Sequence, residues 1–227
     1  MRQLGLVFTR QPRGGARRGA GRKALPAGQR HTPHRARPMH KAAHPVHVTL
    51  RASVGSLRSQ HVVRTVLGAL RDSRRESFRI VHYSIQHNHL HLILEAESAK
   101  LLSSAVRGIM VRIARRVNKL LPRAGRLWTD RWHGHALKTP REVRNALRYV
   151  LQNHLKHRST NTPLDPLSSA QWFNGFGTPI PLAFRSVGPP CIAAPRTWLL
   201  RIGWERHGKI RISEGPQLQK GNQPHAR

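Results

Sequence analysis

The stretch FRIVHYSIQHNHLHLILE, residues 78–95, decides the fold of this 227-residue chain. It contains two largely apolar runs, Phe78 to Ile85 and His89 to Glu95, and short apolar runs next to a turn signal are consistent with buried strands. The three polar residues between them, Gln86 to Asn88, predict a tight connection. We therefore expect the two runs to be neighbouring strands of one sheet.

Strand and helix patterns continue on both sides of this stretch. A strand from Val46 to Leu50 and a helix from Leu57 to Arg71 are expected before it, and the longest helix, Lys100 to Leu121, after it. Leu127 to Leu137 is consistent with a short strand or an ordered loop. This order predicts an α+β sandwich in which helices cover a mostly antiparallel sheet.

The last predicted helix is marked by its start. Thr139-Pro140-Arg141-Glu142 combines an N-cap residue, a proline at the first helical position and an acid in the first turn. The helix is expected to run to about His157. We divide the chain into a basic arm (1–43), a catalytic domain (44–158) and an irregular Pro- and Gly-rich tail (159–227) with a small apolar segment at 196–212. Within that segment, Trp198 to Trp204 is interpreted as a strand or a docking segment.

The charge of the chain indicates an anionic polymer as its partner. Lys and Arg number 41 against 9 Asp and Glu, a formal net charge of +32. Structural nucleic-acid binders share this composition, so charge alone does not indicate an enzyme. Residues 1–43 hold 11 Lys and Arg and no acid, and we expect them to be flexible when free. They are interpreted as an arm that lies on phosphates, with a merely solubilising tail as the alternative.

Cysteine content and hydropathy bear on the compartment. Cys191 is the only cysteine, which excludes an internal disulfide and is consistent with a reducing cytoplasm. No apolar run approaches the roughly 20 residues needed to span a bilayer. We expect a cytoplasmic, nucleoid-associated protein that does not contact a membrane.

Four residues are candidates for chemistry. His89 and His91 lie on one face of their strand because side chains alternate, and Tyr149 and Asn153 lie one turn apart on the last helix. Together they offer two imidazoles, an amide oxygen and a phenol, which suit a metal-assisted attack by tyrosine on a phosphodiester. The alternatives are a chance histidine pair among 16 histidines and an ordinary surface tyrosine.

These motifs match a known family. Asn88-His89-Leu90-His91-Leu92, a basic helix, Leu127-Trp128 and Arg148-Tyr149-Val150-Leu151-Gln152-Asn153 together resemble the HUH single-tyrosine transposases, most closely the REP-associated tyrosine transposases. The resemblance covers about residues 44–157. It implies a ferredoxin-like core, His89, His91 and Asn153 as ligands of Mg²⁺ or Mn²⁺, and Tyr149 as the nucleophile that forms a 5′-phosphotyrosine. The family often has proline where this chain has His87 and His154.

The expected substrate is single-stranded or hairpin DNA. The residues predicted to contact it are Arg17, Arg18, Arg22, Lys23, Arg112, Arg115, Arg116, Arg126, Trp128, Arg131 and Arg148, and the tryptophan is equally consistent with a core position. Two alternatives stay open: a non-catalytic hairpin-binding relative, and another HUH nuclease such as a replication initiator. The sequence is also compatible with a homodimer.

Overall fold

The computed structural model describes residues 39–157, 162–184 and 190–215. The basic residues predicted on the arm, Arg17, Arg18, Arg22 and Lys23, lie outside the described residues. The strands are β1 (Val46–Arg51), β2 (Phe78–Ile85), β3 (His89–Ala96) and β4 (His133–Ala136). The α-helices are α1 (Gln60–Arg71), α2 (Ala99–Leu120), α3 (Pro140–Leu151), α4 (Asn153–His157) and α5 (Trp198–Arg201). Short 3₁₀ turns cover Ser169–Trp172, Leu182–Phe184 and Gly203–His207.

The four described strands form one antiparallel sheet in the order β2-β3-β1-β4. With the connections β-α-β-β-α-β, this is the ferredoxin-like arrangement, so the predicted α+β fold class is confirmed. The predicted hairpin is present, with Ile85 opposite Leu90. Its connection is closed by the Gln86 N–H, which donates to the His89 carbonyl at 2.9 Å.

One face of the sheet forms the main apolar core. Val48 and Leu50 of β1 and Leu92 and Leu94 of β3 are 0–1% exposed there. The apolar stripes of α1 and α2 cover this face, because their hydrophobic residues recur at helical spacing. The buried members of these stripes are Val62, Val63, Val66, Ala69, Leu70, Leu102, Val106, Ile109, Ile113 and Val117.

The opposite face of the sheet is covered by α3. The predicted capping box is present: the Thr139 side chain accepts from the Glu142 N–H, and the Glu142 carboxylate accepts from the Thr139 N–H. The apolar side of α3, including Leu147 and Val150, packs with Ile93 of the sheet in a second cluster of buried residues. The polar part of the same sheet face carries the predicted histidines.

Most buried apolar residues of the described chain after residue 161 belong to this second cluster, whereas Cys191 belongs to the first. This part of the chain is irregular, as predicted, but Phe173, Phe176, Leu199, Trp204 and Ile210 are buried against α3 and its neighbours. The apolar segment predicted as a strand or a docking piece is the short helix α5, followed by a 3₁₀ turn. Helix α3 is therefore enclosed between the sheet and the C-terminal part of the chain.

The last predicted helix does not run unbroken to residue 157. α3 ends at Leu151, and Gln152 leaves helical geometry (φ −121°, ψ 25°) before the short α4 begins. Fully buried Gln152 donates from Nε2 to the carbonyls of Arg211 and Ile212 at 2.7 and 2.6 Å. We attribute the break to these long-range bonds. Among the described residues, none of the helices is both long and apolar enough to cross a membrane.

Candidate active site

The histidine face is set by strand register. Thr49 of β1 lies opposite His91 of β3, and Arg51 lies opposite His89. Directly opposed residues in antiparallel strands share a face, so His47, two residues before Thr49, joins the same face. The predicted His-x-His pair therefore has neighbours on the adjacent strand.

Ring contacts bring Tyr149 to this face. Its ring centroid lies 5.1 Å from that of His91 and 5.7 Å from that of His47, both in edge-to-face arrangements. The His89 and His91 centroids are 4.6 Å apart. Lys156 of α4 is exposed and places its Nζ 6.0 Å from the centroid of the Tyr149 ring. The structure thus collects two predicted histidines and the predicted nucleophile in one place.

Hydrogen bonds fix the central imidazole. His91 is 3% exposed, and its Nδ1 lies 3.1 Å from Thr49 Oγ1 and 3.2 Å from His47 Nε2. The Nε2 atom of His91 is buried and makes no hydrogen bond within the described residues. A buried polar atom left without a partner is unfavourable, so this nitrogen is suited to a ligand.

Burial keeps these imidazoles neutral. It lowers the pKa of His91 well below the ordinary value, and repulsion from His47 and His89 adds to the effect. Burial also lowers the pKa of His47 to about 4, with repulsion from His135 and His133 contributing. A neutral imidazole keeps a lone pair on one nitrogen, which is the form that binds a cation.

Asn153, the predicted third ligand of the cation, is buried, but it does not follow Tyr149 on one continuous helix. It is 1% exposed, and neither its Oδ1 nor its Nδ2 forms a hydrogen bond within the described part of the chain. The break at Gln152 removes the simple one-turn helical step from Tyr149, so helix geometry alone does not place the amide beside the phenol. Over the described ranges, no three His, Cys, Asp or Glu side chains cluster as metal ligands. The role of Asn153 as a cation ligand stays a prediction.

Several residues predicted to contact DNA have structural partners. Trp128 is 9% exposed, and its indole N–H donates to the Met110 carbonyl at 2.9 Å. The indole is therefore a core side chain and not an exposed platform for bases, which corrects the stacking interpretation. Arg148 is 7% exposed and pairs with Glu214 at 2.8 Å, because its position on α3 faces the C-terminal part of the chain. It does not face an open surface, which corrects its assignment as a DNA contact.

The remaining predicted arginines lie on the surface or near it. Arg112 donates to the Ser73 hydroxyl at 2.6 Å, and Arg116 pairs with Asp72 at 2.5 Å, so both connect α2 to the end of α1. Arg115, Arg126 and Arg131 are exposed. The exposed members of this set keep their predicted role as a hypothesis.

Sequence reasoning missed three residues of the site. His47 and Thr49 alternate along β1, and this period-two spacing next to the His-x-His strand was the available signal. Lys156 could not be placed in advance, because it was expected on an unbroken helix.

Comparison with known proteins gives a likeness to one family of transposases. The family model described as IS200-like transposase matches residues 44–153, a span that contains all four described strands and helices α1 to α3. Over this span the chain is similar to the IS200-like transposases, so the resemblance noted from the sequence is confirmed. This match supports a role in DNA transposition.

A solved structure gives a second likeness. A REP-associated tyrosine transposase bound to a REP hairpin aligns with a TM-score of 0.48 and 19% sequence identity, over 61% of this chain and 82% of that chain. No curated protein matches significantly.

Proposed function

We propose that this chain cleaves and rejoins single-stranded DNA near hairpins, with Tyr149 as the nucleophile. The observation that supports this most is the edge-on contact between the rings of Tyr149 and His91. Tyr149 is only partly buried at the border of the second apolar cluster, so its hydroxyl is not required by packing. A phenol beside the neutral imidazoles of His47 and His91 is well placed to meet a phosphodiester.

The proposed reaction is a transesterification. The phenolic oxygen of Tyr149 forms a bond to the scissile phosphorus, and the bond between phosphorus and the 3′ oxygen breaks. The phenol gives up its proton to solvent, and the leaving oxygen takes one up to become a 3′-OH. The 5′-phosphotyrosine keeps the energy of the phosphodiester, so rejoining by a 3′-OH needs no nucleotide cofactor. Lys156 supplies positive charge beside the phosphate.

A divalent cation is part of the proposal. His89, His91 and Asn153 would hold Mg²⁺ or Mn²⁺, since nitrogen and amide oxygen ligands leave positions for water and phosphate oxygens. The fit is supported by the buried atoms that make no hydrogen bond within the described residues, His91 Nε2 and Asn153 Oδ1. Such an ion, when bound, withdraws negative charge from the phosphate in the transition state.

A basic surface on α1 and α2 would hold the duplex part of a hairpin. Two shallow depressions there are lined by basic residues: Arg64, Arg116 and Lys119 in one, and Arg107, Arg112, Arg115 and again Arg116 in the other. These helices cover the face of the sheet opposite to the histidines. Phosphate contacts of this kind position DNA without reading its sequence.

The decisive experiment is the capture of the covalent intermediate. The full chain is incubated with end-labelled single-stranded hairpin DNA and Mg²⁺ or Mn²⁺, and a protein–DNA adduct is looked for on a denaturing gel. The chain has two tyrosines, Tyr83 and Tyr149. Tyr83 is 1% exposed and belongs to the core on the other face of the sheet.

These two tyrosines give a matched pair of variants. We expect Tyr149→Phe to abolish the adduct while DNA affinity stays within a few-fold, and Tyr83→Phe to keep it. An adduct that persists in Tyr149→Phe would refute the assignment. Tight hairpin binding without an adduct in the wild-type chain would favour the non-catalytic alternative.

A further inference from the structure

We infer that Thr49 and Asn88 are positioning residues that set the two imidazoles of His89 and His91 in the Nδ1–H tautomer, so that both present an Nε2 lone pair to a cation. The inference rests on the proposed function, since it concerns the same cation site. It concerns side chains outside the predicted ligand set, one on β1 and one in the β2–β3 connection.

The contact at His89 determines which ring nitrogen carries the proton. Asn88 Oδ1 lies 2.7 Å from His89 Nδ1. An amide oxygen accepts hydrogen bonds and cannot donate them, so the proton of the neutral ring is on Nδ1. The lone pair of His89 is then on Nε2.

The contacts of His91 also favour a proton on Nδ1. Its Nδ1 faces Thr49 Oγ1 at 3.1 Å and His47 Nε2 at 3.2 Å, and both atoms can accept. The opposite tautomer would place a buried N–H at Nε2, where no acceptor is found among the described residues. With the proton on Nδ1, the buried Nε2 has a lone pair that a cation can satisfy.

Metal sites use the same arrangement, in which one ring nitrogen faces an acceptor and the other faces the cation. A ligating histidine generally donates its other ring N–H to a nearby acceptor, which fixes the tautomer and the ring orientation, and loss of that acceptor lowers metal affinity about 10–100-fold. The acceptors here are a hydroxyl and an amide. Register accounts for the first, because Thr49 lies directly opposite His91.

The test reads the tautomers in the metal-free protein by ¹⁵N–¹H correlation NMR of the histidine rings. We expect Nδ1 protonated and Nε2 unprotonated in both His89 and His91. Thr49→Val removes the hydroxyl at constant shape and should shift His91 toward a mixture of tautomers, whereas Thr49→Ser should restore the wild-type pattern. Asn88→Ala and Asn88→Asp form the corresponding pair for His89.

Binding of Mn²⁺ alone, followed by electron paramagnetic resonance, gives the second readout. Thr49→Val and Asn88→Ala should each weaken Mn²⁺ binding by roughly 10–100-fold, with unchanged thermal unfolding. Thr65→Val is the control, because Thr65 lies on α1 and its hydroxyl donates to the local His61 carbonyl. This variant should bind Mn²⁺ like the wild type.

Two results would overturn the inference: an Nε2–H tautomer for either histidine in the wild-type chain, or undiminished Mn²⁺ affinity in both Thr49→Val and Asn88→Ala. Failure of the proposed function is seen separately. Predicted tautomers and Mn²⁺ effects without any DNA adduct would support the positioning role while refuting cleavage.

Discussion

Glu214 ties the C-terminal part of the chain to the helix that carries Tyr149. Its carboxylate accepts two hydrogen bonds from Arg144, at 2.8 and 2.9 Å, and one from Arg148 at 2.8 Å. Glu214→Gln keeps the shape and one acceptor oxygen but removes the negative charge. Arg148, with a side chain only 8% exposed, is then left with an uncompensated charge in a nearly buried position.

The expected loss of stability follows from these contacts. Hydrogen bonds to charged groups contribute about 1.5–3 kcal/mol each. The side chain of Glu214 is 22% exposed, so solvent screens part of this, and Gln retains part of the bonding. We expect a decrease of about 2–3 kcal/mol in the free energy of unfolding, since breaking a largely buried pair is destabilising. For a chain of this size that lowers the Tm by about 4–12 °C.

The pH dependence gives an independent check. Burial opposes the charge of Glu214, but hydrogen bonds from Arg144, the Arg211 N–H and Arg148 outweigh it and lower the pKa of the carboxyl from 4.5 to about 2. A lowered pKa in the folded state means that the stabilisation is present above pH 4.5 and is lost as the pH falls toward 2. The Tm difference between wild type and Glu214→Gln should therefore shrink over that interval.

The assay is thermal unfolding followed by circular dichroism, from pH 7 to the lowest pH at which the protein stays folded. Glu76→Gln is the control, because Glu76 pairs with Arg196 at 3.2 Å on the surface, with side chains 87% and 51% exposed. Exposed pairs contribute less than about 1 kcal/mol. Equal Tm values for Glu214→Gln and wild type at pH 7 would refute the reasoning.

Three further outcomes are expected. His89→Ala and His91→Ala should each abolish cleavage in Mg²⁺ or Mn²⁺, measured as strand scission on a denaturing gel, and undiminished wild-type scission in excess chelator would exclude a metal role. Deletion of residues 1–43, which hold 11 of the 41 Lys and Arg, should flatten the slope of log affinity against log salt concentration by several units. Each phosphate contact contributes about 0.7 to this slope for single strands. An unchanged slope in filter-binding titrations would make the arm a solubilising tail. Trp128→Phe should lower the Tm and leave DNA affinity unchanged, since the indole is buried; a loss of affinity without loss of stability would restore the base-stacking interpretation.

Local pattern was enough to predict the elements that form the sheet. The bounds of β2 agree with the alternation in the sequence, and those of β3 differ only by Ala96. The start of α3 agrees because a capping box is a local signal, readable within four residues. The face shared by His89 and His91 follows from the period of a strand. These features depend on neighbours in sequence.

The features that sequence reasoning missed depend on distant partners. The end of α3 is set by bonds from Gln152 to Arg211 and Ile212, some 60 residues away along the chain. Tyr149 points away from the apolar stripe of its own helix, and this position predicted a solvent-exposed side chain. In the structure, that side of α3 contacts the imidazoles of the sheet. The burial of Trp128 likewise depends on its bond to Met110 of α2.

The enclosure of α3 also defines how short this chain can be made. The family match ends at residue 153, yet the helix that carries Tyr149 borders buried side chains as far along as Ile210 and an ion pair as far as Glu214. A fragment that stops at the family boundary would expose the apolar flank of α3 to water and leave Arg144 and Arg148 without their carboxylate. Such a fragment is expected to aggregate or to hold Tyr149 loosely, so a stable fragment should include Glu214.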